Sequence, residues 1–182
     1  IIENIKLARE NSLPICQDTG TPIFYVYYSK KYSQLDLKNK IIEATKTATK
    51  EIPLRPNAVD SLTDENSKNN VGVNFPIIRL EEWANNFLRI DLMLKGGGSE
   101  NVGIDYKLPD SNLNAGRDIN GIKKCVIDAV FKAQGKGCSP GIVGVGIGGS
   151  KEVAYEISKK QFFRKLNDKN ENETLDNLEN EL

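Results

Sequence analysis

The chain has 182 residues, of which 38% are apolar and 27% charged, enough for one hydrophobic core in one or two lobes but not for several independent domains. Lysine and arginine together number 25, as do aspartate and glutamate, so the net charge is zero, which argues against a nucleic acid or an anionic membrane surface as partner. The absence of histidine excludes a Ser-His-Asp triad, a histidine-ligated zinc and a haem with a proximal histidine.

The first 71 residues predict a helix, a strand, a second helix and a long irregular segment. Residues 1–11 carry apolar side chains at helical spacing, whereas residues 22–28 are rich in aromatic and β-branched types and predict a strand. Residues 35–51 again show helical spacing, ended before Pro53. From 53 to 71 the chain is rich in Pro, Asn, Asp and Ser without periodicity. Loops of this length are usually functional or mobile.

The middle of the chain predicts two strands and one amphipathic helix. Residues 73–80 and 87–94 are expected to be strands, and the second runs directly into the glycine triplet at 96–98. After an irregular stretch to about residue 120, residues 121–134 place apolar side chains at i, i+3, i+4, i+7 and i+8. This spacing predicts a helix with one apolar face.

The end of the chain predicts a strand at 141–147, a tight glycine turn and a helix at 151–166. Because the chain starts with Ile1 instead of Met and ends abruptly, we expect a piece of a longer polypeptide. Residues 1–166 are then one incomplete domain, and residues 167–182 a polar helical linker toward a missing C-terminal part. The mixture of elements predicts a mixed α/β (α+β) fold, with helices packed on small β-sheets and the site loops on one edge.

The three cysteines fall into two groups. Cys125 lies on the apolar face of a predicted helix, where a thiol usually acts as a small core hydrophobe. Cys16 and Cys138 lie in predicted loops beside Pro or Gly, where backbone N–H groups favour a thiolate and suit a metal ligand. No apolar run approaches the roughly 20 residues that span a bilayer, and no charged stretch followed by an apolar one suggests export. We therefore expect no membrane segment, a cytoplasmic protein and no disulfide framework.

Two glycine clusters are open to more than one interpretation. The triplet at 96–98 follows a strand and either lets the backbone approach an anion closely or forms a flexible turn. Residues 144–149 match G-x-G-x-x-G, but the expected acidic residue about 20 positions further on is missing, and Gly149 is followed by Ser-Lys, which excludes a P-loop. A nucleotide-binding domain is therefore the weaker alternative to a tight turn leading into a helix.

Four motifs, read together, resemble one family of enzymes. They are CQDTGT at residues 16–21, PLRP at 53–56, KGGGSEN at 95–101, and GCSPG at 137–141 with GGS at 148–150. In this order they resemble the alpha subunit or N-terminal domain of the iron–sulfur hydro-lyases, which comprise the class I fumarate hydratases and the L-tartrate dehydratases. The resemblance extends over about residues 1–166.

The resemblance implies a [4Fe-4S] cluster with Cys16 and Cys138 as two of its three ligands. The third ligand would come from a motif beyond Leu182. It also implies a small dicarboxylic acid as substrate, bound by Gln17, Asp18, Arg55, Gly97 and Gly98, with Asp18 as the catalytic residue that protonates the substrate hydroxyl or shuttles its proton. From the residues alone, Asp18 could instead cap a turn and Arg55 could be a surface residue.

The function implied by the resemblance is the reversible hydration of fumarate to L-malate, a reaction of the tricarboxylic acid cycle. It would need a beta subunit or a C-terminal domain as partner, and the protein is expected to be an oligomer. An L-tartrate dehydratase alpha subunit is an alternative within the family. A non-catalytic interaction subunit without a cluster is an alternative from a different class.

Overall fold

The structure, a computed structural model, describes residues 1–139 and 141–182, and these divide into two units. The first unit is Ile1–Gly97 and the second is Gly98–Leu182. Along the described chain the helices and strands are α1 (Ile2–Asn11), β1 (Thr21–Tyr28), α2 (Gln34–Glu51), β2 (Ile77–Glu82), β3 (Arg89–Lys95), α3 (Gly97–Asn101), α4 (Ile119–Ala133), α5 (Lys151–Lys160) and α6 (Glu173–Glu181). The predicted mixed α/β fold is confirmed.

The first unit is built on a three-stranded sheet in the order β2-β1-β3. The central strand β1 runs parallel to β2, with Ile23 opposite Ile77, and antiparallel to β3, with Ile23 opposite Met93. Its sequence of β-branched and aromatic residues suits a strand with neighbours on both sides. Ile23 and Val26 are accordingly almost completely buried.

Helix α2 covers one face of this sheet and forms the core of the first unit. Ser33 precedes the helix and caps it, because its hydroxyl accepts a hydrogen bond from the Asp36 N–H at 3.3 Å. Leu37 and Ile41, one turn apart, are buried in a cluster with Val26 and Tyr28 of β1. Burial of each aliphatic side chain contributes about 1.5–3 kcal/mol, so this cluster fixes the strand that follows the CQDTGT motif.

Strand β2 starts four residues later than the sequence predicts. The sequence predicts a strand from residue 73, but Gly72 and Phe75 exchange backbone hydrogen bonds of 2.8 and 3.2 Å and close a tight turn. Asn74 in this turn has a φ of 57°, a left-handed conformation that asparagine tolerates better than most residues. The turn therefore prevents residues 73–76 from joining the sheet.

The second unit is built from helices and irregular segments. Asp118 caps α4 by accepting a hydrogen bond from the Gly121 N–H at 2.7 Å, and Cys125 on this helix is only 7% exposed. The expectation that Cys125 is a core residue is confirmed. The helix predicted at 151–166 is shorter: α5 ends at Lys160 and continues only as a 3₁₀ turn, Gln161–Phe163.

The prediction of a strand at residues 141–147 is wrong. Within the described residues this segment pairs with no other strand. A Cβ on Gly146 would overlap the Ala154 carbonyl of α5, and one on Gly144 would overlap the Ser158 carbonyl. These glycines therefore allow the segment to pack directly on the backbone of a helix, which explains the G-x-G-x-x-G pattern without a nucleotide.

A turn with positive φ values leads into α5, as predicted. Gly148 and Gly149 have φ values of 86° and 72°, and Ser150 caps the helix by accepting a hydrogen bond from the Val153 N–H at 3.3 Å. Pro140, which belongs to the GCSPG motif, lies outside the described residues.

Gly146 provides a test of this packing. Gly146→Ala is expected to lower the free energy of unfolding by about 1–3 kcal/mol, since the added methyl overpacks a backbone contact. Gly141→Ala, in the same segment, is the matched control because no atom lies within 4 Å of its Cβ position, and we expect no loss of stability. Urea unfolding of the two full-length variants measures the difference, and equal midpoints would contradict the packing role.

Within the described parts of the chain, none of the helices combines the length and apolar character that crossing a lipid bilayer requires. Helix α6 lies in the polar tail and buries Leu178. The domain boundary at residue 166 and the linker role of residues 167–182 stay predictions.

Candidate functional site

The Asp18 carboxylate joins three separate segments of the first unit. Its Oδ1 accepts hydrogen bonds from the Gly20 N–H at 3.0 Å and from the Asn57 side-chain amide at 2.6 Å. Its Oδ2 accepts one from the Gly97 N–H at 2.9 Å, and Arg55 Nη2 lies 3.5 Å from Oδ1. Three of the motifs singled out in the sequence therefore meet at one side chain.

These donors determine the charge state of Asp18. Burial alone would raise its pKa, but the N–H groups of Gly20 and Gly97, the Asn57 amide and the Arg55 charge outweigh burial and hold the pKa below its usual value. Asp18 is thus an ionised carboxylate that accepts hydrogen bonds on both oxygens. Its turn-capping contact with Gly20 exists, but it is only one of the contacts that Asp18 makes.

Gly20 allows the 16–21 turn to lie against the end of β3. Its φ is 71°, and a Cβ at this position would stand 2.5 Å from the carbonyl carbon and oxygen of Lys95 and 2.7 Å from the Gly96 nitrogen. Only glycine combines this φ with so close a backbone approach. The close contact keeps Asp18 within reach of the Gly97 N–H.

Arg55 is held by two asparagines, Asn57 and Asn70, that lie outside the four sequence motifs. Arg55 Nε donates to the Asn57 side-chain oxygen at 2.9 Å, and the Asn57 N–H donates to Asn70 Oδ1 at 2.6 Å. Asn70 Nδ2 in turn donates to the Arg55 carbonyl at 3.2 Å and to the Thr49 hydroxyl at 3.1 Å. Asn70 is 1% exposed, so it anchors this hydrogen-bond network in the interior of the unit.

Cys16 and Gln17 lie at the surface next to Asp18. Cys16 is an exposed free thiol whose sulfur accepts a hydrogen bond from the Asp18 N–H at 3.4 Å. Hydrogen bonds to cysteine sulfurs are among the features by which proteins tune iron–sulfur clusters. Gln17 lies between these two residues in the sequence and is exposed.

The second unit places Cys138 beside Gly98. Cys138 is also an exposed free thiol, and its sulfur lies 4.0 Å from the position that a Cβ on Gly98 would take. Glu100, two residues after Gly98, accepts hydrogen bonds from Lys159 Nζ at 2.6 Å and from the Tyr155 hydroxyl at 3.0 Å. Burial and the Glu100 charge raise the pKa of Tyr155 to about 12, so it stays a neutral donor. Glu100 therefore ties the glycine loop of its unit to α5.

The two exposed thiols fit the role of thiolate ligands, whereas Cys125 is buried and its pKa is raised by burial and by the charges of Asp110 and Asp128. Within residues 1–139 and 141–182, no three acidic or cysteine side chains gather into a group that could hold a metal ion. Each unit contributes one exposed cysteine, Cys16 in the first and Cys138 in the second, and two cysteines are fewer than an iron–sulfur cluster needs.

Comparison with known proteins identifies the family of the chain. All of residues 1–182 match the family model Fumerase, described as fumarate hydratase. The chain is 48% identical over 182 residues to "Putative fumarate hydratase class I" of Geobacillus stearothermophilus, a match that covers 98% of this chain and 35% of that protein. It is 41% identical over 187 residues to "Putative L(+)-tartrate dehydratase subunit alpha" of Methanocaldococcus jannaschii, covering 100% of this chain and 64% of the relative.

A third relative is more distant. "L(+)-tartrate dehydratase subunit alpha" of Escherichia coli K12 is 29% identical over 181 residues, which cover 98% of this chain and 58% of that protein. The chain belongs to the fumarate hydratase (Fumerase) family. It spans about a third to two thirds of the length of these curated relatives.

Proposed function

We propose that the chain is the alpha part of a [4Fe-4S]-dependent hydro-lyase that reversibly hydrates fumarate to L-malate. The observation that carries the proposal is the meeting of the CQDTGT, PLRP and KGGGSEN motifs at the Asp18 carboxylate. The 48% identity to a protein named as a class I fumarate hydratase supports the choice of substrate.

Arg55 binds a carboxylate of the substrate. Its side chain is 57% exposed, Nε is engaged by Asn57, and Nη2 makes only a 3.5 Å contact with Asp18. The remaining N–H groups of the planar guanidinium are open to a second carboxylate, for which their geometry is well suited. Gln17, exposed at the same turn, donates a hydrogen bond to another substrate oxygen.

Asp18 touches the substrate hydroxyl and handles its proton. Removal or addition of water requires a proton to move to or from that oxygen, and a positioned carboxylate is a suitable group. Gly97 helps indirectly, since its N–H donates to Asp18, while Gly98 remains the glycine whose N–H serves the dianion. This division refines the equal roles that the resemblance implied for the two glycines.

Cys16 and Cys138 are the residues that would hold the cluster, together with a third ligand from outside residues 1–182. When bound, such a group supplies a Lewis acid that favours departure of the hydroxyl. The exposed, free state of both thiols and the N–H donated to Cys16 support this assignment.

A tartrate dehydratase alpha subunit is the second candidate. Two relatives named as tartrate dehydratase alpha subunits match nearly all of this chain. The matches cover 58–64% of those relatives, compared with 35% of the protein named fumarate hydratase. The two substrates differ in hydroxylation, so a few polar contacts decide between them. The designation "subunit alpha" of two of these relatives also supports a beta subunit as partner.

The full-length enzyme, purified without oxygen together with its partner subunit, tests the proposal. We expect hydration of fumarate and dehydration of L-malate at higher kcat/KM than dehydration of L-tartrate. The reverse order would favour the second candidate. A colourless protein without activity on any of these acids would favour a non-catalytic interaction subunit.

The segment 1–182 alone is expected to be inactive even after iron and sulfide are supplied without oxygen, because two thiolates do not complete the cluster site. Adding the remaining polypeptide and the beta partner should restore activity. Turnover by the isolated segment would show that this chain holds all the groups required and would contradict the proposed division.

A further inference from the structure

Asn57 occupies a position between two residues of the proposed site. One end of its side-chain amide donates to Asp18 at 2.6 Å, and the other end accepts from Arg55 Nε at 2.9 Å. Arg55 and Asp18 carry opposite charges, yet their shortest ion-pair distance is 3.5 Å. A guanidinium and a carboxylate normally form a close bidentate pair at about 2.7–2.9 Å, so the amide holds the two charges apart.

This separation is maintained from the buried side. Asn70, 1% exposed and with a φ of 56°, accepts a hydrogen bond from the Asn57 N–H and donates one to the Arg55 carbonyl. It therefore fixes the backbone on both sides of Pro56. These two hydrogen bonds of Asn70 therefore set the direction in which the Asn57 side chain points.

We propose that Asn57, held by Asn70, is a positioning residue that keeps Arg55 and Asp18 from closing on each other. The inference rests on the function proposed above and concerns a substrate with both a hydroxyl and a carboxylate. Arg55 keeps its outer N–H groups for the carboxylate, and Asp18 keeps its place beside the hydroxyl. Without the spacer, the guanidinium closes on Asp18, and the site loses an anion-binding group and a proton-handling group together.

The test is Asn57→Ala in the full-length enzyme, with Asn66→Ala as the matched control. Asn66 lies in the same irregular segment and also makes two local hydrogen bonds, from its Nδ2 to the Pro56 carbonyl and from the Lys68 N–H to its Oδ1, but it contacts neither charged residue. We expect Asn57→Ala to raise KM for L-malate and lower kcat, with a fall in kcat/KM of about 10- to 100-fold, typical of misplaced reacting groups. Asn66→Ala should stay within about twofold of the wild type.

A binding measurement separates positioning from folding. Succinate has two carboxylates and no hydroxyl, so calorimetric titration with it reports the Arg55 contact without turnover. Asn57→Ala should weaken succinate binding in the wild-type background but should add little in an Arg55→Ala background, since residues that act together are non-additive. If Asn57→Ala does not fold, Asn57→Leu fills a similar volume without either hydrogen bond and takes its place.

The outcomes are distinct. Equal kinetics of the Asn57 and Asn66 variants, or additive losses with Arg55→Ala, overturn the positioning role and leave the proposed function standing. A wild-type enzyme that neither binds succinate nor acts on any of the three acids overturns the proposed function and, with it, this inference.

Discussion

Asp18→Asn is expected to lower kcat of the full-length enzyme by about 10²–10⁴-fold while weakening substrate binding far less. The carboxylate accepts hydrogen bonds on both oxygens, from two backbone N–H groups and one amide. Asparagine offers one oxygen and one NH₂ group. Whichever way its amide is turned, the NH₂ group faces another donor, so the loop contacts weaken in addition to the loss of the proton-handling group.

Asp60→Asn is the matched control for this substitution. Asp60 lies in the irregular segment between α2 and β2, and its Oδ1 accepts hydrogen bonds from both the Leu62 and Thr63 N–H groups at 2.9 and 3.0 Å. The amide oxygen of asparagine can accept the same two hydrogen bonds. We therefore expect kcat of Asp60→Asn to stay within about twofold of the wild type.

Steady-state kinetics with L-malate and thermal unfolding of both variants separate the two contributions at Asp18. A loss of stability with near-normal kcat would reduce Asp18 to a residue that caps a turn and joins loops. A large fall in kcat with the fold intact supports its place in the reaction.

The sequence predicted those elements whose side-chain pattern matches their packing. Strand β1 and helices α2 and α4 bury the residues that their periodicity selects, such as Val26, Ile41 and Cys125. Segment 141–147 has the same alternation of small and β-branched residues, but a strand also needs a hydrogen-bonded neighbour. Gly144 and Gly146 instead allow the segment to pack closely against α5. A contact with a helix further along the chain leaves no mark in the local sequence pattern.

The candidate site was predictable where its residues stand inside short motifs. Asp18 and Arg55 lie in the CQDTGT and PLRP motifs, which resemble those of a known family. Asn57 lies one residue beyond PLRP, and its importance comes from a contact with Asp18, 39 positions away in sequence. Asn70 acts through burial and a left-handed backbone, and its surroundings in the sequence resemble any asparagine-rich loop. A contact map, and not composition or periodicity, is needed to find such residues.

Substituting the cysteines is expected to have a second large effect, on iron content and activity. The three thiols differ in environment, because Cys16 and Cys138 are exposed and Cys125 is buried. Cys16→Ala and Cys138→Ala in the full-length enzyme should each lower the iron content and reduce activity by more than about 100-fold, since even the outer partners of metal ligands contribute about 10- to 100-fold. The physical reason is that both residues are exposed free thiols, accessible to iron, and that the Cys16 sulfur accepts a hydrogen bond from the Asp18 N–H.

Cys125→Ala is the control built into the chain. Cys125 is buried in α4, so losing its sulfur should cost about 1 kcal/mol of stability and leave iron content and activity unchanged. Iron analysis and visible absorbance under anaerobic conditions measure all three variants alike. Iron lost equally from every variant would point to general instability, whereas iron retained by Cys16→Ala and Cys138→Ala would remove these cysteines from the cluster. A wild-type enzyme that turns over fumarate without iron would show that the Asp18 and Arg55 pair acts without the cofactor, and the cluster assignment would then be wrong.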